Sequence, residues 1–534
     1  MILKREAFFA RNRKNNNPVL EERTPPMQNS NLFGLLLATL VAPEFREIDE
    51  ELRRIREEVG EQMTQTVTAF LAQGGSPQTT FQFEEELERL LREIGRRTLE
   101  TVFNRLEPED AESLPKRFTH QQQEYSRKQE KTNNRSGIGT RFGTIQLRRF
   151  SCEPLQEARE DGQKSFSPLE WQLGIVGGNA TPALAERVAH LAVGHTQQEV
   201  LKRLAKDHDV EWSVGVLRKV TAAVSEGMAE HLRQAQKVQL LGWLRQADGS
   251  KGRRAIVLSV GRDGIMLPIR GATTYKEGAV ATIAVYDRRG RRLGTVYLGQ
   301  MPEAYQTTLS DQLTQLLTEA LREWQGCWPR LVYVTDAGYH PTEYFENVLT
   351  WLDDPRHPGR RLTWTRVVDF YHACEYLAKM AHVLFDDVRA SHAWLKRMRH
   401  WLKHEWRAVF RILHSAAKLR SRRVLSATQE ESYLQAYNYL NTHQEWMDYS
   451  EYRRQGLPIG SGVTEAACKT VFTQRFKESG MTWKLEGGQT ILILRLAELS
   501  GVWNTVYSDF LQSRPIAIPI TKPANEGIAY AKAA

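Results

Sequence analysis

The sequence predicts a mixed α/β protein: a β-containing core, helices in front of it, and a long all-helical stretch inside it. Two short runs carry the first part of that expectation. Leu331-Val332-Tyr333-Val334-Thr335-Asp336-Ala337-Gly338 and Trp364-Thr365-Arg366-Val367-Val368-Asp369 are largely apolar and β-branched, and each stops on an acid. A buried strand delivering a carboxylate to its C-terminal end has this pattern. Open α/β sheets place their ligands there. A turn residue or a helix N-cap explains either acid, taken alone, about as well. The second part rests on the stretch after His372, where strand signals stop until about Pro458.

At 534 residues the chain has room for three or four domains of about 150 residues each. Its 41% hydrophobic content is ample for a core, and a net charge of +9 suits a polyanionic partner. Cys152, Cys327, Cys374 and Cys468 lie far apart with no CxxC spacing. That pattern indicates neither a disulfide framework nor a zinc knuckle, and fits a reducing cytoplasm. The start of the chain does not read as a signal peptide. The apolar run at 32–42 is too short to span a membrane, so no membrane partner is expected.

Residues 1–42 are expected to be disordered. Over 43–106, Ile48, Leu52, Ile55 and Val59, then Phe83, Leu87, Leu90, Leu91 and Ile94, recur at helical spacing around a Gly-Gly-Ser-Pro break at 74–77. A helical hairpin, a dimerisation element and a solvated packing layer all fit. Residues 107–167 read as a polar linker followed by a β element, with 140–150 alternating as one strand bent at Gly143.

Residues 168–240 read as three short helices. Pro182 follows Thr181, Thr196-Gln197-Gln198-Glu199 is a capping box, and Ser213 can cap the third helix. Short helices with tight turns are the helix-turn-helix pattern, and equally that of many bundles. In the first case Arg218 and Lys219, near the start of the third helix, would meet DNA.

The first part of the core is expected over 250–372. A β-rich run, 255–260, precedes Asp263-Gly264, and two further runs flank the turn Asp287-Arg288-Arg289-Gly290 as a hairpin. A helix over 306–324 with Leu309, Leu313, Leu316, Leu317 and Leu321 on one face leads into the strand that ends at Asp336.

Residues 373–455 are expected to be an all-α insertion. Leu395, Met398, Leu402, Trp406, Val409 and Leu413 make one apolar stripe. Lys396, His400, Lys403, Arg407 and Arg411 make a basic stripe beside Trp394, Trp401 and Trp406. Such a stripe is either a nucleic-acid surface or a solvated helix face. Over 456–505 a glycine-rich turn opens a helix with Glu465 in its first turn, which the helix dipole alone would favour. Lys469, Arg475 and Lys477 follow, then a last apolar helix. Residues 506–534 are expected to be a loose tail.

Three acids stand out: Asp263, Asp336 and Glu465. Their order among the elements is that of an RNase H-like mixed-sheet core with a helical insertion before the last acid. On these residues the sequence resembles the bacterial insertion-sequence DDE transposases of the ISKra4 type, related to the Mutator-like group. The matching residues are Val260-Gly261-Arg262-Asp263-Gly264, Thr335-Asp336-Ala337-Gly338 and Asp369-Phe370-Tyr371-His372-Ala373. The most specific block is Gly460-Ser461-Gly462-Val463-Thr464-Glu465-Ala466-Ala467-Cys468-Lys469, followed by Arg475-Phe476-Lys477, Ser479-Gly480-Met481 and Trp483. The resemblance covers about residues 140–503.

The resemblance implies Asp263, Asp336 and Glu465 as a catalytic triad holding two Mg²⁺ ions, with Mn²⁺ as a substitute. It implies Asp369 and His372 as an accessory DxxH motif. Some relatives carry paired cysteines before the 141–150 segment, where this chain has only Cys152 nearby, so zinc is not expected. Three carboxylates are apt for the chemistry. Mg²⁺ prefers oxygen ligands, and two such ions about 3.5–4 Å apart stabilise the attacking and leaving oxygens of a phosphodiester together.

The expected function is therefore a transposase that binds the inverted repeats of its own element and cuts and joins DNA. It would act as a homodimer or larger assembly on element ends and target DNA, in the cytoplasm at the nucleoid. Lys396, Lys403, Arg407, Arg411, Lys469, Arg475 and Lys477 are expected to contact DNA along with Arg218 and Lys219. A hydrolytic nuclease on the same core, and a transposase-derived DNA-binding protein without catalysis, are the alternatives.

Overall fold

The computed structural model describes residues 43–120, 123–134, 136–155 and 165–514. The expected disordered segment 1–42, and 515–534 of the expected tail, lie outside them. The chain divides into two units, Met1–Pro108 and Glu109–Ala534.

In the first unit α1 (Pro43–Ala72) and α2 (Pro77–Arg105) pack against each other. Gly74 and Gly75 take the left-handed φ values of 72° and 69° that the turn needs. Ser76 closes a capping box with Thr79, and Pro77 opens α2. Ile55, Val59 and Leu90 are buried, whereas Leu91 is exposed.

The second unit begins with short strands. β1 (Arg117–His120), β2 (Gln123–Arg127) and β7 (Cys152–Pro154) form one sheet. β3 (Thr132–Asn133) pairs with β6 (Arg148–Arg149), and β4 (Ile138–Thr140) with β5 (Gly143–Ile145). The expected linker thus carries strands. The single bent strand expected over 140–150 is instead a tight hairpin, because Thr140 Oγ1 donates to Gly143 O at 2.8 Å and folds the chain back.

Helices α3 (Pro168–Gln172), α4 (Pro182–Gly194), α5 (Gln197–His208) and α6 (Val214–Asp248) follow. Thr196 and Glu199 form their capping box, and Ser213 accepts from Val216 N. The third of the expected short helices differs. α6 is 35 residues long and runs across the boundary expected at 240 into the core. Val220, Val224 and Met228 pack on the C-terminal helices, and Leu240, Leu241 and Leu244 pack on the central sheet.

That sheet has the order β10-β9-β8-β11-β12. β8 (Val257–Leu267), β9 (Lys276–Tyr286) and β10 (Arg292–Gln300) are an antiparallel meander. β11 (Arg330–Thr335) and β12 (Trp364–Val368) run parallel to β8 on its other side. α7 (Thr307–Glu323) makes the crossover from β10 to β11, and α8 (Tyr339–Asn347) lies between β11 and β12. The leucines of α7 and α6 cover one face, against Leu258, Val260, Ile283 and Tyr333.

The opposite face is covered in two parts. Val332, Val334 and Val367 meet the insertion. It consists of α9 (Phe370–Leu384), α10 (Val388–His404), α11 (Ala408–Arg420), α12 (Ala427–Thr442) and α13 (Tyr449–Gln455). Leu267 and Val280 meet Phe472 and Leu492 of the C-terminal helices. These are α14 (Gly462–Ala467), a π-helical turn (Cys468–Thr473), α15 (Gln474–Phe476), α16 (Leu485–Leu499) and α17 (Trp503–Ser513).

Two further expectations are corrected here. The apolar stripe is not continuous, because α10 stops at His404 and Arg407 is left-handed at φ 48°. Trp406 therefore points outward at 65% exposure, while Trp394 is buried. The tail expected to be loose from 506 is instead helical to Ser513, with Val506, Tyr507 and Phe510 buried against α6.

Candidate acidic site

The sheet's register brings the acids together. β8 and β11 pair in parallel, Arg330 with Val257 through Tyr333 with Val260. Carried three residues further, that pairing sets Asp336 level with Asp263. β11 and β12 pair from Leu331 with Trp364 to Thr335 with Val368. One residue further, Asp336 is level with Asp369, and Asp369 N donates to Thr335 O at 2.8 Å. Side chains alternate along a strand, so the three acids lie on one face, the face opposite α7. Asp263 is not at a strand end, as its neighbour Gly264 had implied. It lies within β8, paired with Val280 of β9.

Glu465 reaches this face on α14. A Cβ on Gly261 would lie 2.0 Å from Thr464 Oγ1, so only glycine lets the helix sit this close to β8. Thr464 also hydrogen-bonds Thr282 of β9 at 2.8 Å. Ser461 and Cys468 lie four residues before and three after Glu465, on the same side of a helix. Ser461 Oγ lies 3.2 Å from Glu465 Oε1, and Cys468 Sγ donates to Asp263 Oδ2 at 3.2 Å. The chain then takes a π-helical turn from Cys468, a distortion frequent at functional sites.

Burial pushes the Asp263 carboxyl up to about 6, and the charges of Asp336 and Glu465 push the same way. Burial raises Glu465 too, aided by Asp369. The Cys468 thiol is raised by burial and by Asp263, Asp336 and Glu465, which keeps it protonated and a donor. Asp263 and the Cys468 thiol thus both feel the charges of Asp336 and Glu465.

Asp336 receives Gly338 N at 2.9 Å, and the next residue, Ala337, is left-handed at φ 63°. Such a conformation is uncommon outside glycine and concentrates at functional turns. Tyr439 of the insertion donates its hydroxyl to the Asp336 carbonyl at 2.8 Å. His372 is half-buried beside Tyr376 and Tyr439 and pairs with Glu375 at 3.4 Å.

The donor set is all oxygen, with negative charge in excess, which fits Mg²⁺ in kind. Among the described residues no group of three His, Cys, Asp or Glu side chains is already arranged to hold a metal ion. Repulsion within the set is what a cation between the acids would relieve.

The only sequence signal of a role for Ser461 and Cys468 is their spacing from Glu465. Tyr439 had no sequence signal. Among the cations, Arg218, Lys219, Lys396, Arg407, Arg411, Lys469 and Lys477 are exposed, and Lys403 is half-buried with its ammonium over the Phe370 ring. Arg475 is a correction. It is 3% exposed, its guanidinium bonded to the Ala192 and His195 carbonyls and stacked on Trp483. It closes the C-terminal end of α4 and is not free for DNA.

Fold and site together define a mixed α/β protein with an acidic centre on one face of its sheet, beneath a helical insertion. No family model matches the chain. The chain is 23% identical over 374 residues to a Streptococcus gallolyticus protein described as "UPF0236 protein in vanSb 3'region", a match spanning 68% of this chain and 73% of that one. Among the described residues no helix is long and apolar enough to cross a membrane.

Proposed function

We propose that this chain is a DDE transposase that binds the inverted repeats of its own element and cuts and joins DNA. The observation that carries the reading is the parallel pairing of β8, which holds Asp263, with β11, which leads directly into Asp336, and the contact of the Glu465 helix with the same sheet through Thr464. A three-stranded meander extended by two parallel strands supports an RNase H-like core. The exposed start of α6, with Arg218 and Lys219, supports DNA reading by the α4–α6 region.

Asp263, Asp336 and Glu465 would hold the two Mg²⁺ ions. Bound there, the ions would polarise the phosphodiester and lower the pKa of an attacking water or 3′-hydroxyl. Cys468 and Gly264 each donate to Asp263, Gly338 orients Asp336, and Ser461 orients Glu465. The basic face of α10 and α11 would carry the DNA flanking the cut, as a dimer or larger assembly on paired ends.

The test is an in vitro reaction of purified protein, Mg²⁺ and labelled DNA carrying the element's ends, comparing wild type with Glu465→Gln. The reading expects cleavage and joining that Glu465→Gln abolishes while end binding survives. Cleavage without joining would make the chain a nuclease. Binding without cleavage in wild type would make it a DNA-binding derivative, and cleavage by Glu465→Gln would exclude Glu465.

A further inference from the structure

Asp369 differs from the other three acids: it is 0% exposed. A buried carboxylate is costly unless donors surround it. Its Oδ1 accepts from Tyr371 N at 2.5 Å and His372 N at 2.9 Å, which caps α9. Its Oδ2 accepts from both the backbone N–H and the hydroxyl of Ser461. A carboxylate offers about four acceptor positions, and Asp369 has four donors. It stands level with Asp336, yet its lone pairs are filled by protein.

Those donors come from two places, the start of α9 and the turn before α14. Phe370 N adds a bond to Ile459 O at 2.9 Å. The turn is thereby clamped to the end of β12. Ser461 Oγ also lies 3.2 Å from Glu465 Oε1, so its single proton is shared between the Asp369 and Glu465 carboxylates. Gly460, beside it, leaves room for the Tyr371 ring, which a Cβ there would meet at 3.0 Å.

We propose that Asp369 is a positioning residue rather than a metal ligand. It fixes Ser461, and through the Ser461 hydroxyl it aims the Glu465 carboxylate toward Asp263 and Asp336. This rests on the acidic centre proposed above. The accessory DxxH acid then acts one step behind the metal, and the Glu465 helix is referenced directly to the sheet.

The test uses the full chain and Mn²⁺ alone as probe in calorimetry, alongside Mg²⁺ titration of DNA cleavage. Ser461→Ala keeps the backbone N–H to Asp369 and removes only the hydroxyl. Support groups behind a metal ligand are worth about tenfold or more in metal affinity. Ser461→Ala is therefore expected to weaken Mn²⁺ binding about tenfold and to raise the half-saturating Mg²⁺ equally, with the maximal rate and unfolding midpoint little moved. Ser461→Thr is expected to restore both. In a Glu465→Gln background, adding Ser461→Ala should change Mn²⁺ affinity no further, because the route passes through Glu465.

Unchanged Mn²⁺ affinity in Ser461→Ala would overturn the proposal. So would further loss in the double variant, or a Ser461→Ala defect that persists at saturating Mg²⁺. Wild type that binds no Mn²⁺ would overturn the acidic centre itself, and the positioning role with it.

Discussion

Asp336 follows directly on β11, which pairs in parallel with β8, the strand that carries Asp263. The offset that pairs Tyr333 with Val260 is the offset between the two acids. Among the described residues no salt bridge offsets either carboxylate; their close donors are Gly338 N for Asp336, and Gly264 N and the Cys468 thiol for Asp263. Two like charges on adjacent strands oppose one another across a poorly solvated gap, and the fold bears that cost for a reason other than stability.

The first prediction follows from that cost. Burial, reinforced by Asp336 and Glu465, raises the Asp263 carboxyl from its ordinary 3.8 to about 6. A raised acid favours the protonated form in the fold. Its stabilising contribution is fully present below pH 3.8 and is lost as pH rises through about 6. Asp263→Asn removes the penalty above that range, by at most about 3 kcal/mol. The variant should melt higher than wild type at pH 7.5, with the gap closing by pH 4, in thermal scans. Added Mg²⁺ should raise the wild-type midpoint and leave the variant unmoved. A gap independent of pH would contradict the assignment.

The second prediction concerns the approach of α14 to the sheet. Gly261→Ala forces a methyl group to within 2.0 Å of Thr464 Oγ1. Overpacking of this kind costs about 1–3 kcal/mol, and it should also displace Glu465 and slow cleavage. Adding Thr464→Ala removes the obstructing hydroxyl, so the double variant should be less destabilised than the sum of the singles. Strict additivity in chemical denaturation would place the strain elsewhere.

The sequence made the acids legible because each sits in a short motif, and two of them follow strands of β-branched residues. It misplaced Asp263 at a strand end, since Asp-Gly reads as a turn while β9 in fact pairs on past it to Leu267. It cut α6 short. Gly227 within that helix is there for packing, as a Cβ would lie 2.2 Å from the Phe510 ring. No local pattern announces a partner that far along the chain. Arg475 failed for the same reason, its acceptors lying on α4. The link from Asp369 through Ser461 to Glu465 joins segments on either side of the insertion, and motif order alone cannot draw it.

The third prediction separates that structural arginine from a DNA contact. Arg475→Ala leaves the Ala192 and His195 carbonyls without their buried donor, and should destabilise the fold by about 2–4 kcal/mol. The salt dependence of DNA binding, measured where the variant is still folded, should match wild type. A reduced salt slope with unchanged stability would return Arg475 to the DNA surface.

The last prediction tests the basic face of the insertion. Lys396 and Arg407 are exposed, Arg407 lying over the outward-facing Trp406 at 4.3 Å. Arg411 is already engaged, paired with Glu405 at 3.3 Å and stacked on Trp401 at 4.6 Å. Each phosphate contact contributes about 0.9 to the slope of log affinity against log salt. Lys396→Ala combined with Arg407→Ala should therefore lower that slope by about 2 and weaken binding across unrelated DNA sequences alike. Arg411→Ala should lower the slope less, because its charge is partly answered within the protein. Exposed substitutions of this kind move stability by no more than about 0.5 kcal/mol, so the effect should be read at constant fold. A slope unchanged in the double variant would make this face a solvated helix surface and shift the DNA path to the α4–α6 side of the molecule.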